Sequence, residues 1–265
     1  MLGKTIVVAI LGLASSLATA TPSPARPAGN IVRHTGQSVG QEVKYNGLTQ
    51  YISKPKGWRK GQGVGVLYLT DVFGIQLNEN RLLTDSFARA GYVAVAPDLF
   101  NGQPAPYDIN IPGFNTTQFL SEHGPNVTDP IIVNAINYLK KELGVKKIVT
   151  TGYCFGGRYA FRFIAEGKGA SVAFAAHPSL LEDAEIQAIT GPASVAAAEV
   201  DSLMPTERRV EIENLLLQTK QPYSLALYGG TQHGFATRGD PSDPKQKFGK
   251  EEAFYQAVRF FDNWA

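Results

Sequence analysis

The sequence predicts an α/β fold, a mostly parallel central sheet with helices on both faces. Three observations carry that reading. Short, largely apolar runs recur at residues 63–69, 92–96, 147–151, 171–176, 193–200 and 223–228, and apolar runs without strict alternation mark strands buried on both faces. Segments with helical spacing lie between most of them, as parallel βαβ units require. Finally, Asp71, Cys154, His177, Asp201 and His233 each fall just beyond one of these strands or its continuation. Open α/β sheets bind their ligands at that carboxyl edge.

The first element is different. Residues 41–55 alternate around Asn46-Gly47, which suits a two-residue hairpin turn because both positions accept positive φ. The run 63–69 ends at Thr70-Asp71-Val72-Phe73-Gly74. Residues 78–90 carry Leu82, Leu83 and Phe87 at helical spacing and stop at Gly91, a helix-ending signal. Strand 92–96 closes at Pro97-Asp98. Residues 101–128 have no clear period and several Pro, Gly and Asn. So long a segment in a compact domain is expected to be a lid, a substrate-pocket insert or an unrecognised short helix. A helix over 131–143, with Ile132, Ile136 and Leu139 on its apolar face, ends at Gly144. Beyond the strand into Cys154 and the helix after it come strands 171–176 and 193–200. A helix over 207–218, strand 223–228 and a closing helix over 249–264 complete the chain.

At 265 residues and 43% hydrophobic, the chain can bury one large core. A single domain over 41–265 is expected. Net charge is +2 with both signs interspersed, so no nucleic-acid or anionic-membrane footprint is present. Residues 1–20 combine Lys4, an apolar stretch over 6–17 and Ala18-Thr19-Ala20, the pattern of a secretory signal peptide cleaved near Ala20. The stretch is short for a membrane span, and secretion is the expectation. Sequons at Asn115-Thr116-Thr117 and Asn126-Val127-Thr128 fit a glycosylated, secreted product. Residues 21–40 are expected to be a flexible N-terminal segment, Pro-rich in its first half.

The chemistry centres on Gly152-Tyr153-Cys154-Phe155-Gly156-Gly157, a strand–turn–helix with the single cysteine at its apex. Such an elbow holds a nucleophile in strained backbone geometry, and flanking glycines relieve the crowding. It also aims the first amides of the next helix at the reacting carbon. Cys154, Asp201 and His233 follow the chain order of an α/β-hydrolase triad. A thiol needs a base to become the reactive thiolate. A histidine supplies one, and a carboxylate fixes its tautomer. The bland alternatives are a packed structural thiol for Cys154, a solvated loop acid for Asp201 and a surface ring for His233. Glu199 competes with Asp201 but falls within the strand. His177 reads as structural or pocket-lining, and His34 and His123 as peripheral. No zinc-type spacing occurs, and Gly61-Gln62-Gly63-Val64-Gly65 lacks a following helix. No metal or cofactor is therefore expected.

These residues resemble the dienelactone hydrolase (carboxymethylenebutenolidase) family, particularly its fungal branch, over about residues 45–264. The likeness rests on the Cys154 elbow, Asn46-Gly47-Leu48-Thr49-Gln50-Tyr51, Asp71-Val72-Phe73-Gly74, Pro97-Asp98-Leu99-Phe100, His177-Pro178-Ser179, Asp201 and His233-Gly234-Phe235. It implies the α/β-hydrolase fold, a Cys154–Asp201–His233 triad and an oxyanion hole from the amides of Val72 and Phe155. It further implies hydrolysis of a lactone, ester or thioester through a thioester intermediate. Two departures stand out. Bacterial members carry glutamate, not aspartate, at Asp71, where it can help activate the thiol. They also clamp an anionic substrate with two arginines. Here residues 101–128 contain no Lys or Arg, and only Arg238 remains, displaced by one residue. Asp71 and Arg238 are kept as substrate-binding candidates. The apolar Ile109, Ile111, Phe114, Phe119 and Leu120 imply a small-molecule substrate that is uncharged or larger than dienelactone. A non-catalytic binding protein, an acyltransferase, a cysteine peptidase and a redox sensor are the alternatives. Oligomeric state is not legible.

Overall fold

The computed structural model describes residues 31–265. The expected signal peptide (1–20) and the Pro-rich residues 21–30 lie outside the described residues. Among the described residues eight strands form one sheet: β1 Gln41–Tyr45, β2 Leu48–Ser53, β3 Val64–Leu69, β4 Val93–Pro97, β5 Lys147–Tyr153, β6 Val172–Ala176, β7 Ala193–Val200 and β8 Tyr223–Gln232. Their order across the sheet is β1-β2-β4-β3-β5-β6-β7-β8. β1 and β2 pair antiparallel, as do β2 and β4, and every later pairing is parallel. The hairpin forms as expected, with Tyr45 opposite Leu48 and φ of 49° and 82° at Asn46 and Gly47.

Among the described residues eight α-helices flank the sheet: α1 Asn78–Arg89, α2 Thr116–Glu122, α3 Pro125–Asn137, α4 Phe155–Arg162, α5 Asp183–Gln187, α6 Thr206–Thr219, α7 Phe235–Arg238 and α8 Pro244–Trp264. One face of the sheet buries Leu67, Leu69, Ile132, Leu139, Phe161, Ile212 and Leu216 in a shared core. The other buries Val66, Tyr68, Phe87, Phe174, Phe254 and Phe261. Helices on both faces explain why the parallel strands read as unbroken apolar runs.

Several boundaries differ from the sequence reading for identifiable reasons. α3 begins at Pro125 rather than residue 131, because proline is well accommodated in the first helical turn and Pro130 is tolerated inside the helix. A π-helical turn, Tyr138–Glu142, carries that helix on to Gly144. β8 continues to Gln232, four residues past the expected end at residue 228, through an irregular register against β7. α8 starts at Pro244, where the Asp243 side chain accepts from the Lys245 amide (2.9 Å). α2, α5 and α7 are too short to show a period.

Residues 31–40, the described half of the segment expected to be flexible, are tied to the domain. Ile31 and Val32 are buried in the second core. The Ile31 carbonyl accepts from Arg89 Nε (2.7 Å), the Val39 amide donates to Asp85 (2.8 Å), and His34 pairs with Glu251 (2.8 Å).

Candidate active site

β5 delivers Cys154 to the carboxyl edge of the sheet and α4 leaves from it at once. Cys154 adopts φ 51° and ψ −114°, a conformation costly for a residue with a Cβ. Only glycine fits two places away on either side. A Cβ on Gly152 would collide with the Gly156 carbonyl, and one on Gly156 with the Leu69 carbonyl. Neighbouring strand ends hold the turn in place. The Cys154 amide donates to Ala176 O (3.2 Å) beyond β6's last pair, and Gly156 N donates to Thr70 O (3.0 Å) beyond β3.

β7 and β8 bring the other two residues together. His233 N donates to Val200 O (3.2 Å), fixing the histidine loop to the end of β7. His233 Nδ1 and Asp201 Oδ2 are 2.9 Å apart. Asp201 Oδ1 accepts from the amides of Leu203 (2.9 Å) and Met204 (3.2 Å), so the carboxylate is oriented by its own loop. Glu199 is directed elsewhere and accepts from Gly230 N (2.5 Å). Nε2 of His233 is buried and makes no hydrogen bond of standard geometry, but the Cys154 sulfur is near enough to influence the ring. Burial disfavours the imidazolium; the hydrogen bond to Asp201 and the sulfur outweigh it and push the ring up to about 10. The arrangement is that of a thiol beside a base held by a carboxylate.

Val72 follows β3 and Phe155 opens α4, and neither amide is used by the hydrogen bonds that hold the two turns. Asp71 lies deeper. It is fully buried; its Oδ1 accepts from Asn80 Nδ2 (2.8 Å) and Phe73 N (3.2 Å), and its Oδ2 from Arg238 Nε (3.2 Å). Burial raises its carboxyl despite those partners. Arg238 also stacks on the Phe73 ring, 4.6 Å from its centroid. Asp71 thus orients the 71–74 loop and occupies one edge of Arg238, while Arg238 itself reaches the cavity.

A cavity of about 210 Å³ opens at Cys154 and His233. Ile109, Phe114, Phe119 and Leu120 from the 101–128 segment form one wall, and Phe73, Leu180 and Leu203 form others. Ile111 stands outside it, exposed to solvent. Among the described residues, Arg238 is the one charged residue lining the cavity besides the His233 ring. Ser179 entered sequence reasoning only within His177-Pro178-Ser179 and without a role, and Leu180 and Leu203 escaped it, because loops after β6 and β7 carry them with no periodic signal. His177, which follows β6, is buried behind His233 with ring centroids 4.9 Å apart. Burial, reinforced by the charges of His233 and Arg238, keeps it neutral. His123 is half-buried on Phe100 and Phe119 rather than exposed. Among the described residues no His, Cys, Asp or Glu cluster could hold a metal ion, and no helix is long and apolar enough to cross a membrane.

The strand order and the elbow define the α/β-hydrolase fold. The model of the Dienelactone hydrolase family matches residues 48–265, and the chain belongs to that family. Hydrolase pyvD of Aspergillus violaceofuscus is 37% identical over 231 residues, covering 87% of this chain and 93% of that protein. Hydrolase tropI of Talaromyces stipitatus is 35% identical over 241 residues, covering 88% and 93%. The crystal structure of a dienelactone hydrolase from Anabaena variabilis superposes with a TM-score of 0.62 at 14% identity, covering 86% of this chain and 98% of that one. That likeness is one of fold.

Proposed function

We propose that this member hydrolyses a lactone, ester or thioester using Cys154 as nucleophile, His233 as general base and acid, and Asp201 as the group that holds His233. The observation that carries the reading is the 2.9 Å Asp201–His233 contact beside a cysteine held at φ 51°. In the first half-reaction, with the Cys154 proton already on His233 Nε2, the thiolate attacks the carbonyl carbon. The amides of Val72 and Phe155 receive the oxyanion. Collapse expels the alcohol with the proton from His233 and leaves a thioester. Water then gives its proton to His233, attacks the thioester and releases the acid.

The acyl-binding site we infer is for an uncharged group. The cavity wall is built from aliphatic and aromatic side chains, and Asp71 already balances the charge of Arg238. Leu180, Leu203 and Ile109 are partly exposed at its edge, which favours a substrate longer than the cavity. Secretion is part of the same proposal, supported by the composition of residues 1–20 alone; N-terminal sequencing of the exported protein should find the new terminus near residue 21.

The test is a panel of neutral aryl esters, aliphatic lactones and dienelactone, run on the native protein and on Cys154→Ala. Turnover should vanish in the variant, and in the native protein should fall in proportion to alkylation of Cys154. Neutral aryl esters should be preferred. Retained activity in Cys154→Ala would remove the nucleophile assignment, and a marked preference for dienelactone would remove the substrate assignment.

A further inference from the structure

The triad leaves one polar group at the sulfur without a role. His177-Pro178-Ser179-Leu180 enters the site from the end of β6, and both His177 (φ 37°) and Leu180 (φ 59°) sit in the left-handed region. Non-glycine residues held there need support from their surroundings, and they cluster at functional sites. Here the two bends bracket Ser179 and turn it onto the cysteine. Its amide donates to Cys154 O (3.1 Å) and its Oγ lies 3.6 Å from Cys154 Sγ. Gly157 makes room for the segment, since a Cβ there would meet Pro178 at 2.7 Å. Ser179 is nearly buried, and among the described residues the sulfur is the only hydrogen-bond partner of its hydroxyl.

We propose that Ser179 is a further catalytic residue, donating a hydrogen bond to the Cys154 sulfur whenever that sulfur is anionic. The inference rests on Cys154 being the nucleophile. Serine keeps its proton throughout. When the Cys154 proton moves to His233 Nε2, the hydroxyl turns its hydrogen to the thiolate, and charge-assisted hydrogen bonds are stronger than neutral ones. As the S–C bond forms, the carbonyl π pair moves to oxygen. Collapse breaks the bond to the leaving alkoxide, which takes the proton from His233. In the thioester the sulfur is neutral and Ser179 has little to stabilise. Attack by water, deprotonated by His233, reverses this: the C–S bond breaks with its electron pair on sulfur, and Ser179 again meets a thiolate. Its benefit therefore falls on formation of the thiolate and on its departure.

The charged and titratable groups around the sulfur come from every neighbouring strand end. His233 and Asp201 follow β8 and β7, the Arg238–Asp71 pair joins α7 to the end of β3, neutral His177 follows β6, and His123 sits in the 101–128 segment. Ser179→Ala alters none of them, so a change in the thiol's titration would report on the hydroxyl.

Alkylation of Cys154 by iodoacetamide, followed against pH in the whole protein, reads thiolate formation without any substrate. In Ser179→Ala the alkylation midpoint should move up by about one pH unit, a roughly tenfold smaller thiolate fraction on the acid limb. Ser179→Thr, which restores a hydroxyl, should return it toward the native value. With a chromogenic ester, kcat should fall more than KM changes, and the acyl-enzyme should persist longer. An unchanged midpoint overturns the proposal. A midpoint that moves down also overturns it, by making Ser179 an acceptor that keeps the thiol protonated. If Cys154→Ala remains active, it is the nucleophile assignment that falls, whatever the alkylation profile shows.

Discussion

Asp201 contributes through geometry as well as charge. One carboxylate oxygen is held by two backbone amides, leaving the other aimed at His233 Nδ1. An amide at this position keeps the size but offers the wrong hydrogen-bonding partner to the ring. Asp201→Asn should therefore lower kcat by roughly a thousandfold or more while leaving the fold intact. It should also bring the His233 titration down from about 10, because burial would no longer be opposed by the carboxylate. An NMR titration of the His233 ring checks both statements. The sign for stability follows. A ring whose folded pKa lies above its ordinary value of 6.5 stabilises the fold fully below about 6.5 and loses that contribution as pH rises through about 10. The variant should thus show less decline in stability over that window than the native protein.

At the level of elements, the strand ends were readable and the walls in part: Ile109, Phe114, Phe119 and Leu120 were expected there, and Leu180 and Leu203 were not. Strands buried on both faces are marked by composition alone, and each parallel strand ends in a turn that exposes its next residues at one edge. Cys154, Asp201 and His233 could therefore be grouped from chain order before any coordinate was known. Leu203 could not, since nothing in its local sequence separates it from ordinary loop residues, and Ser179 was noted only as part of His177-Pro178-Ser179, with no role at the sulfur. α2 was hidden for another reason. It is a short helix whose only cap is the Asn115 side chain accepting from Gln118 N (3.0 Å), and its single buried residue, Phe119, packs with Phe100, Phe114 and His123. One ring thus carries much of the helix's attachment. Phe119→Ala should destabilise the protein by about 3 kcal/mol and raise KM for aryl esters by enlarging the cavity. Denaturant unfolding and a Michaelis series would check the two effects. An unchanged KM would place the substrate's apolar part elsewhere.

The whole molecule adds constraints that no single element shows. Residues 31–40 dock against α1 and α8 through Asp85, Arg89 and Glu251, so the segment ahead of β1 contributes to the core through Ile31 and Val32. One buried charge works against the fold. Lys250 on α8 is 2% exposed, and burial lowers it from 10.5 to about 8, with Glu79 and Glu251 opposing the shift. Between those two values the unfolded chain binds more protons than the folded one, so this group makes stability rise with pH from about 8 to 10.5. At pH 7 it costs the fold something on the order of 3 kcal/mol before solvent relaxation is counted. Lys250→Met should raise the melting temperature at neutral pH and flatten the rise at alkaline pH. Thermal unfolding at several pH values would show it, and a lower melting temperature at neutral pH would mean that the ammonium is better satisfied than its burial implies.

The two halves of the site are written on different stretches of chain. Cys154, His233 and Asp201 follow β5, β8 and β7, whereas Ile109, Phe114, Phe119 and Leu120 come from one excursion between β4 and α3. That excursion supplies neither partner of the Asp201–His233 contact nor a backbone hydrogen bond to the elbow. Preference and reactivity are then separable inheritances. Exchange of residues 106–121 for those of a relative should therefore change the order of preference across an ester panel while leaving the rate of Cys154 alkylation unaltered.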